Sequence, residues 1–406
     1  MLTFAKAMFP TMAALAVQFL AFVITARGLG AERFGIYAGI LAVASIGADV
    51  LGFGAIDLLV RGTARNQRDF PRYLGHLLWL TLATAPVVIL GALIVATQIM
   101  NVPFPGWLLV GAIVAEMMNS RTFVYTEAIM VAQQDPVRAA WSRVAGAITR
   151  LAAAVVYFVA LSRSDIEGWV VCIAGVSLLT MFIAYRICTA LYGRPVSCLM
   201  RGELRAGVVL CLTQIAASVQ ANVDRVVLTR FAPAAEVGGY GAAARFMQLG
   251  LLPLQVATRI TYPKFFSAGN SGAVKGLRFA LRVAGPMAAI GIGACLLVIA
   301  ASHLIPSLLG RDFSSAIGIL TVLAFALPAI ALQTPPADVL TADNLHTLRA
   351  TIIWLTTACF LGFAVMGAKL GGALGIAVAF VLTQLLLAVA NWGALLVVVR
   401  RRRVRR

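Results

Sequence analysis

Ala31-Glu32-Arg33-Phe34-Gly35-Ile36-Tyr37 returns in worn form as Ala235-Glu236-Val237-Gly238-Gly239-Tyr240. Each copy lies between two long apolar runs, and the two tyrosines stand half of the 406-residue chain apart. A glutamate followed by glycine and tyrosine arises once by chance. Its return at half-length, in the same setting, points to two similar membrane halves. Glycine and tyrosine suit a tight interfacial connection, so each copy is read as the turn between the first two spans of a half.

Working outward, 61% of the residues are hydrophobic and 12% charged, with a mean hydropathy of +0.94. Soluble domains hold about twice that share of charge. Apolar stretches of the length a bilayer demands place helices near 7–27, 35–60, 76–98, 107–131, 141–162 and 168–190, then 207–231, 238–262, 279–302, 315–340, 348–368 and 372–399. The expected fold is therefore an all-α integral membrane protein of about twelve spans. Its N-lobe is 1–195 and its C-lobe 196–406, the latter ending in a basic tail. No basic stretch with a cleavage site precedes the first span, which is expected to stay as an anchor.

The formal net charge is +18, but its distribution says more than its size. Arg61, Arg65, Arg68, Arg72, Arg138, Arg143, Arg194, Arg201, Arg205, Lys264, Lys275, Arg278, Arg349 and the tail Arg400 to Arg406 all follow even-numbered spans. The alternate loops, Asn101 to Gly106 and Ser162 to Glu167, are nearly neutral. The positive-inside rule then puts both termini in the cytoplasm and leaves no case for nucleic acid. The tail reads as a topology anchor, or as a patch for anionic lipid.

Short connections leave no extramembrane domain for a soluble active site. His76, His303 and His346 fall at loop edges without clustering, and the six cysteines show no paired spacing. Metal, redox and histidine acid–base chemistry thus lack their parts, and no catalytic residue, metal or cofactor is expected. Gly47 to Gly54 lacks a phosphate-loop lysine and reads as a flexible or closely packed helix.

Ionisable and amide groups inside spans are the sharper signal, since each must face a partner or a watery cavity. At about 100° per residue, Arg245, Gln248, Leu252, Gln255 and Arg259 form one ribbon on span 8. Span 7 aligns Thr213, Gln220 and Asp224, flanked by Gln214 and Arg225. Span 4 aligns Glu116, Ser120, Phe123 and Glu127, with Arg121 on another side, and span 2 holds Asp49 near mid-membrane. Asp49, Glu116 and Asp224 read equally as ion-paired struts and as cavity or coupling acids; Arg27 and Arg230 read as snorkelling ends. Among the prolines in or near spans, Gln333-Thr334-Pro335-Pro336-Ala337-Asp338 is the strongest expected break.

The run Arg27 to Ala38, then Asp49 to Gly54 and Arg61-Gly62, resembles the opening of the Wzx-type polysaccharide-biosynthesis flippases of the MOP superfamily, which also holds the MATE exporters. Asn222 to Leu228 leading into Glu236 to Arg245 is similar to that family's span 7 to 8 signature. Leu309 to Phe313 and Gly371 to Ala377 match later landmarks. The resemblance implies two pseudo-symmetric six-helix lobes around a central cavity in the bacterial inner membrane. The implied activity is alternating-access transfer, to the outer leaflet, of repeat units linked to a lipid of the undecaprenyl-pyrophosphate type, for O-antigen, capsule or exopolysaccharide. Membrane lipids, a polysaccharide polymerase and chain-length proteins are the implied partners.

By position, Arg245, Arg225, Arg121 and Arg259 suit the pyrophosphate and sugar acids, because guanidinium grips phosphate bidentately; Gln220, Gln248 and Gln255 flank them. The alternative within the superfamily is a cation-coupled multidrug exporter, which would depend on Asp224, Asp49 or Glu116. A membrane polysaccharide polymerase fits less well, since the longest loops are short and basic. The two further helices general in lipid II flippases and the span 1 acid of many drug exporters are not expected here.

Overall fold

The computed structural model describes residues 2–100, 104–269 and 273–404, and no strand occurs among them. Asn101 to Pro103 of the neutral loop, the Thr213 side chain and the end of the arginine tail lie outside the described groups. In chain order the helices are α1 (Leu2–Val50), α2 (Ala55–Arg65), α3 (Phe70–Ile94), α4 (Gly106–Ala132), α5 (Pro136–Ala154), α6 (Ile166–Tyr192) and α7 (Leu204–Phe231). They continue as α8 (Ala234–Gly250), α9 (Leu252–Gly269), α10 (Ala273–Ser302), α11 (Ile305–Leu309), α12 (Ser315–Ala324), α13 (Ala326–Ala342) and α14 (His346–Val404).

Among the described residues, eight stretches are long and apolar enough to cross a membrane. Two of them, Phe9–Val50 with 42 residues and His346–Arg401 with 56, exceed the ~20 residues of one crossing. Each is two helices joined at glycine: Gly30 with φ 73°, and Gly371–Gly372, the latter with φ 54°. The hinged pairs, together with the charged helix α4 and the α8–α9 pair, bring the spans to the expected twelve.

The chain divides into two compact units, Met1–Val226 and Val227–Arg406. That division falls inside α7, whereas the lobe boundary expected from the sequence, 195/196, lies in the loop before it. In the first unit α1 packs along α5 and α4, α4 along α6, and α2 on α3 and α4. Its core alternates small and large residues, Ala44, Ala48 and Ala112 beside Ile40, Leu108 and Ile113, which lets helices approach without a water-driven collapse. In the second unit α13 packs on α10 and α14, and α8 on α12, over a core that includes Phe265, Leu340, Leu387 and Leu395.

The first unit gathers alternate loops at its two ends. The Arg33 guanidinium donates to the Ser164 carbonyl at 2.6 Å. At the opposite end the Val196 amide donates to the Pro71 carbonyl at 2.9 Å, and the Met200 amide to His76 Nδ1 at 3.2 Å.

Four expectations change. The repeated phrase is helical in both copies, because the chain turns earlier, at Gly30 and at Ala232–Pro233. Tyr37 and Tyr240, each 1% exposed, point into packed interiors. Span 2 breaks at residues 51–54, between α1 and α2. His76 is no loop residue: α3 begins at Phe70 and buries it completely.

The fourth change concerns Pro335–Pro336, where no break occurs: α13 stays helical through both, and span 10 is interrupted ten residues earlier, at Phe325. Pro336 has no N–H for the Leu332 carbonyl four residues back. Trp392 Nε1 of α14 supplies the missing donor at 2.9 Å. A neighbouring helix thus mends the ladder that the sequence leaves open.

Candidate functional site

Three helices of the first unit converge on one buried carboxylate. Glu116 of α4 is 4% exposed and receives both arms of Arg150 from α5, Nη1 to Oε2 and Nη2 to Oε1, each at 3.1 Å. Arg150 Nη2 also donates to the Tyr37 hydroxyl at 2.8 Å, and that hydroxyl donates in turn to Glu116 Oε1. Trp169, fully buried, stands edge-on to the Tyr37 ring with centroids 6.4 Å apart. A bidentate fork with its remaining acceptor site filled is the geometry in which a desolvated ion pair is tolerated. The sequence reading placed Glu116 but missed Arg150 and Tyr37. A mid-span arginine on the next helix was the available signal.

A second pair marks the break in span 2. Gly52, Phe53 and Gly54 adopt φ of 76°, 43° and 72°, conformations in which glycine alone is unstrained. A Cβ on Gly54 would lie 2.3 Å from the Gly207 carbonyl oxygen, and one on Gly207 2.6 Å from that of Phe53, so α7 runs against bare backbone here. The Gly52 amide, released from the helix ladder, donates to Thr84 Oγ1 at 3.1 Å. Asp49, at the end of α1, pairs with Arg121 of α4.

The third acid behaves likewise. Asp224, 5% exposed, pairs with its neighbour Arg225, whose Nη2 also reaches the Ala221 carbonyl at 3.0 Å. Gln220 lies one turn away with its amide nitrogen buried. Each of Asp49, Glu116 and Asp224 therefore has an arginine.

In the second unit Arg245 and Gln248 of α8 and Gln255 and Arg259 of α9 are all exposed. Arg245 Nη1 donates to Gln248 Oε1 at 3.2 Å. The ribbon is two pieces, since the helix is interrupted at Leu251, two residues before Pro253. Proline at the second position of α9 fits that start, where no helical N–H is needed. Among the described residues no group of histidine, cysteine and carboxylate side chains is arranged to hold a metal ion.

No curated protein matches the chain. Among solved structures it is similar to an inward-facing multidrug resistance MATE family transporter of the MOP superfamily, with a TM-score of 0.72 at 17% identity over 94% of each chain. It is similar also to the lipid II flippase MurJ in an inward closed conformation, with a TM-score of 0.73 at 12% identity over 97% of this chain and 87% of that one. A MOP superfamily transporter from Pyrococcus furiosus gives a TM-score of 0.59 at 18% identity, covering 96% and 94% of the two chains. At such identities the likeness is one of fold. A family model described as polysaccharide biosynthesis protein matches residues 5–268. With that match over more than half of its length, this multi-pass chain with the fold of the MOP transporters belongs to the polysaccharide biosynthesis protein family.

Proposed function

We propose that this protein is a flippase of the bacterial inner membrane that moves polyprenyl-pyrophosphate-linked oligosaccharide repeat units from the inner to the outer leaflet. The two lobes, 1–195 and 196–406, work by alternating access, and both termini face the cytoplasm. The observation that carries this reading is the exposure of Arg245, Gln248, Gln255 and Arg259 along one membrane helix pair. Guanidinium groups exposed on such a helix pair suit an anion, and a pyrophosphate is the anion that family membership suggests. Arg225 and Arg121, already held by Asp224 and Asp49, are proposed to bind the sugar acids when those pairs open.

No covalent chemistry is required. A headgroup carrying about two negative charges gains roughly 5 kcal/mol on moving outward across 100 mV, negative inside, at about 2.3 kcal/mol per charge. The cargo is then handed to a polymerase and chain-length proteins.

The test is surface-polysaccharide output in a deletion strain complemented with variants. Arg245→Ala should abolish output and leave unpolymerised lipid-linked repeat units on the cytoplasmic face. Full output from Arg245→Ala would sink the assignment. Dependence on Asp224 in a variant of unchanged melting temperature, with Arg245 dispensable, would instead indicate a carrier of cations.

A further inference from the structure

The first unit has an open-sided cavity of about 560 Å³ between α3, α4 and α6. Leu78, Ile89, Met117, Met118 and Phe182 form most of its wall. Two of the hydroxyls that reach it are spent on their own helices: Thr81 donates to the Leu77 carbonyl and Thr126 to the Thr122 carbonyl, each at 2.7 Å. Arg121, on its wall, is held by Asp49. Water needs two to four polar partners in such a space, and a wall this apolar leaves it few. A cavity so lined suits hydrocarbon.

Position and charge narrow that occupant. α3 and α6 touch at the end that carries the basic loops, where Phe70 and Tyr192 meet edge to face at 6.4 Å. Farther along, Leu82 at 72% and Phe182 at 60% exposure flank an opening toward lipid. Arg186 stands between the lining residues Phe182 and Thr189 on the same face of α6 and is exposed. It lies six residues before the end of α6, about 9 Å in at 1.5 Å per residue. Among the described residues no carboxylate forms an ion pair with it. The exposed Arg72, Arg138 and Arg194 belong to the same end of the unit. A lone guanidinium on a lipid-facing surface, beside an apolar cavity and below a basic rim, complements a phosphate with a hydrocarbon chain attached.

Length separates the two lipids that offer this chemistry. The lining residues of α3 run from Leu74 to Ile89, about 22 Å at 1.5 Å per residue. That suits one fatty-acyl chain and is far short of a polyprenyl chain.

We propose that this cavity binds one acyl chain of an anionic phospholipid from the leaflet at the basic loops, with its phosphate held by Arg186. The full-length protein, purified in detergent, is titrated by native mass spectrometry with phosphatidylglycerol and with diacylglycerol of identical chains, which lacks the phosphate. The wild type should retain one phosphatidylglycerol about tenfold more tightly, the factor a single charge-assisted contact supplies. Arg186→Gln, a surface change, should bind both lipids equally. Ala85→Phe, which fills the cavity, should lose both.

As a readout independent of that variant's folding, phosphatidylglycerol with a photoreactive acyl chain should crosslink to peptides of α3, α4 or α6. An undiminished preference in Arg186→Gln would overturn the proposal, as would crosslinks confined to other helices. Displacement of the bound phospholipid by equimolar undecaprenyl phosphate would give the cavity to the cargo and also overturn it.

Discussion

Arg150 holds both carboxylate oxygens of Glu116 at 3.1 Å across two helices, inside a unit where Tyr37 completes the carboxylate's hydrogen bonding. The pair is a strut whose loss leaves a charge stranded. Glu116→Ala should cost about 3–5 kcal/mol, the penalty for breaking a buried ion pair from one side. The double change Glu116→Leu with Arg150→Met should recover most of it, because no charge then remains. Thermal unfolding in detergent measures both. An unchanged melting temperature for Glu116→Ala would refute the strut.

At the break in span 2, Gly54→Ala should destabilise by at least about 1–3 kcal/mol. The new methyl combines an unfavourable φ with a collision 2.3 Å from the Gly207 carbonyl. Gly91→Ala, where a Cβ meets nothing within 4 Å, is the control, and it should leave the melting temperature level or raised.

The indole of Trp392 serves a carbonyl that Pro336 deprives of its donor. Trp392→Phe should cost about 1–3 kcal/mol for an unsatisfied buried acceptor. In a Pro336→Ala background the backbone N–H returns, and the same change should cost measurably less. A double-mutant cycle reads this coupling directly. Strict additivity would show that the indole acts by packing alone.

Asp165 caps α6, accepting from the Gly168 amide at 2.8 Å, and that bond holds its carboxyl below the usual carboxylate range. A carboxyl lowered on folding stabilises fully above its unfolded value, about 3.9, and the gain is lost as pH falls through the folded value. Asp165→Ala should therefore cost about 1 kcal/mol at neutral pH and progressively less as the pH falls below about 3.9. A loss that stays the same on acidification would mean that the cap does not titrate.

The span pattern was legible because a bilayer demands about twenty apolar residues in each crossing, and that demand is local to the chain. The basic loops, the half-length repeat and the family resemblance were equally a matter of order along the sequence. Polar faces could be listed from helical period, as at Arg245, Gln248, Gln255 and Arg259, yet period does not say what a face meets.

Tertiary structure decided the partners. It set Arg150 on Glu116, Arg121 on Asp49 and Trp392 on the carbonyl that Pro336 exposes, and it turned Tyr37 inward from what reads as a surface turn. The physical reason is the same in each case. A buried charge or an orphaned carbonyl must find a partner, and the nearest one in space lies on another helix, many residues away in the chain.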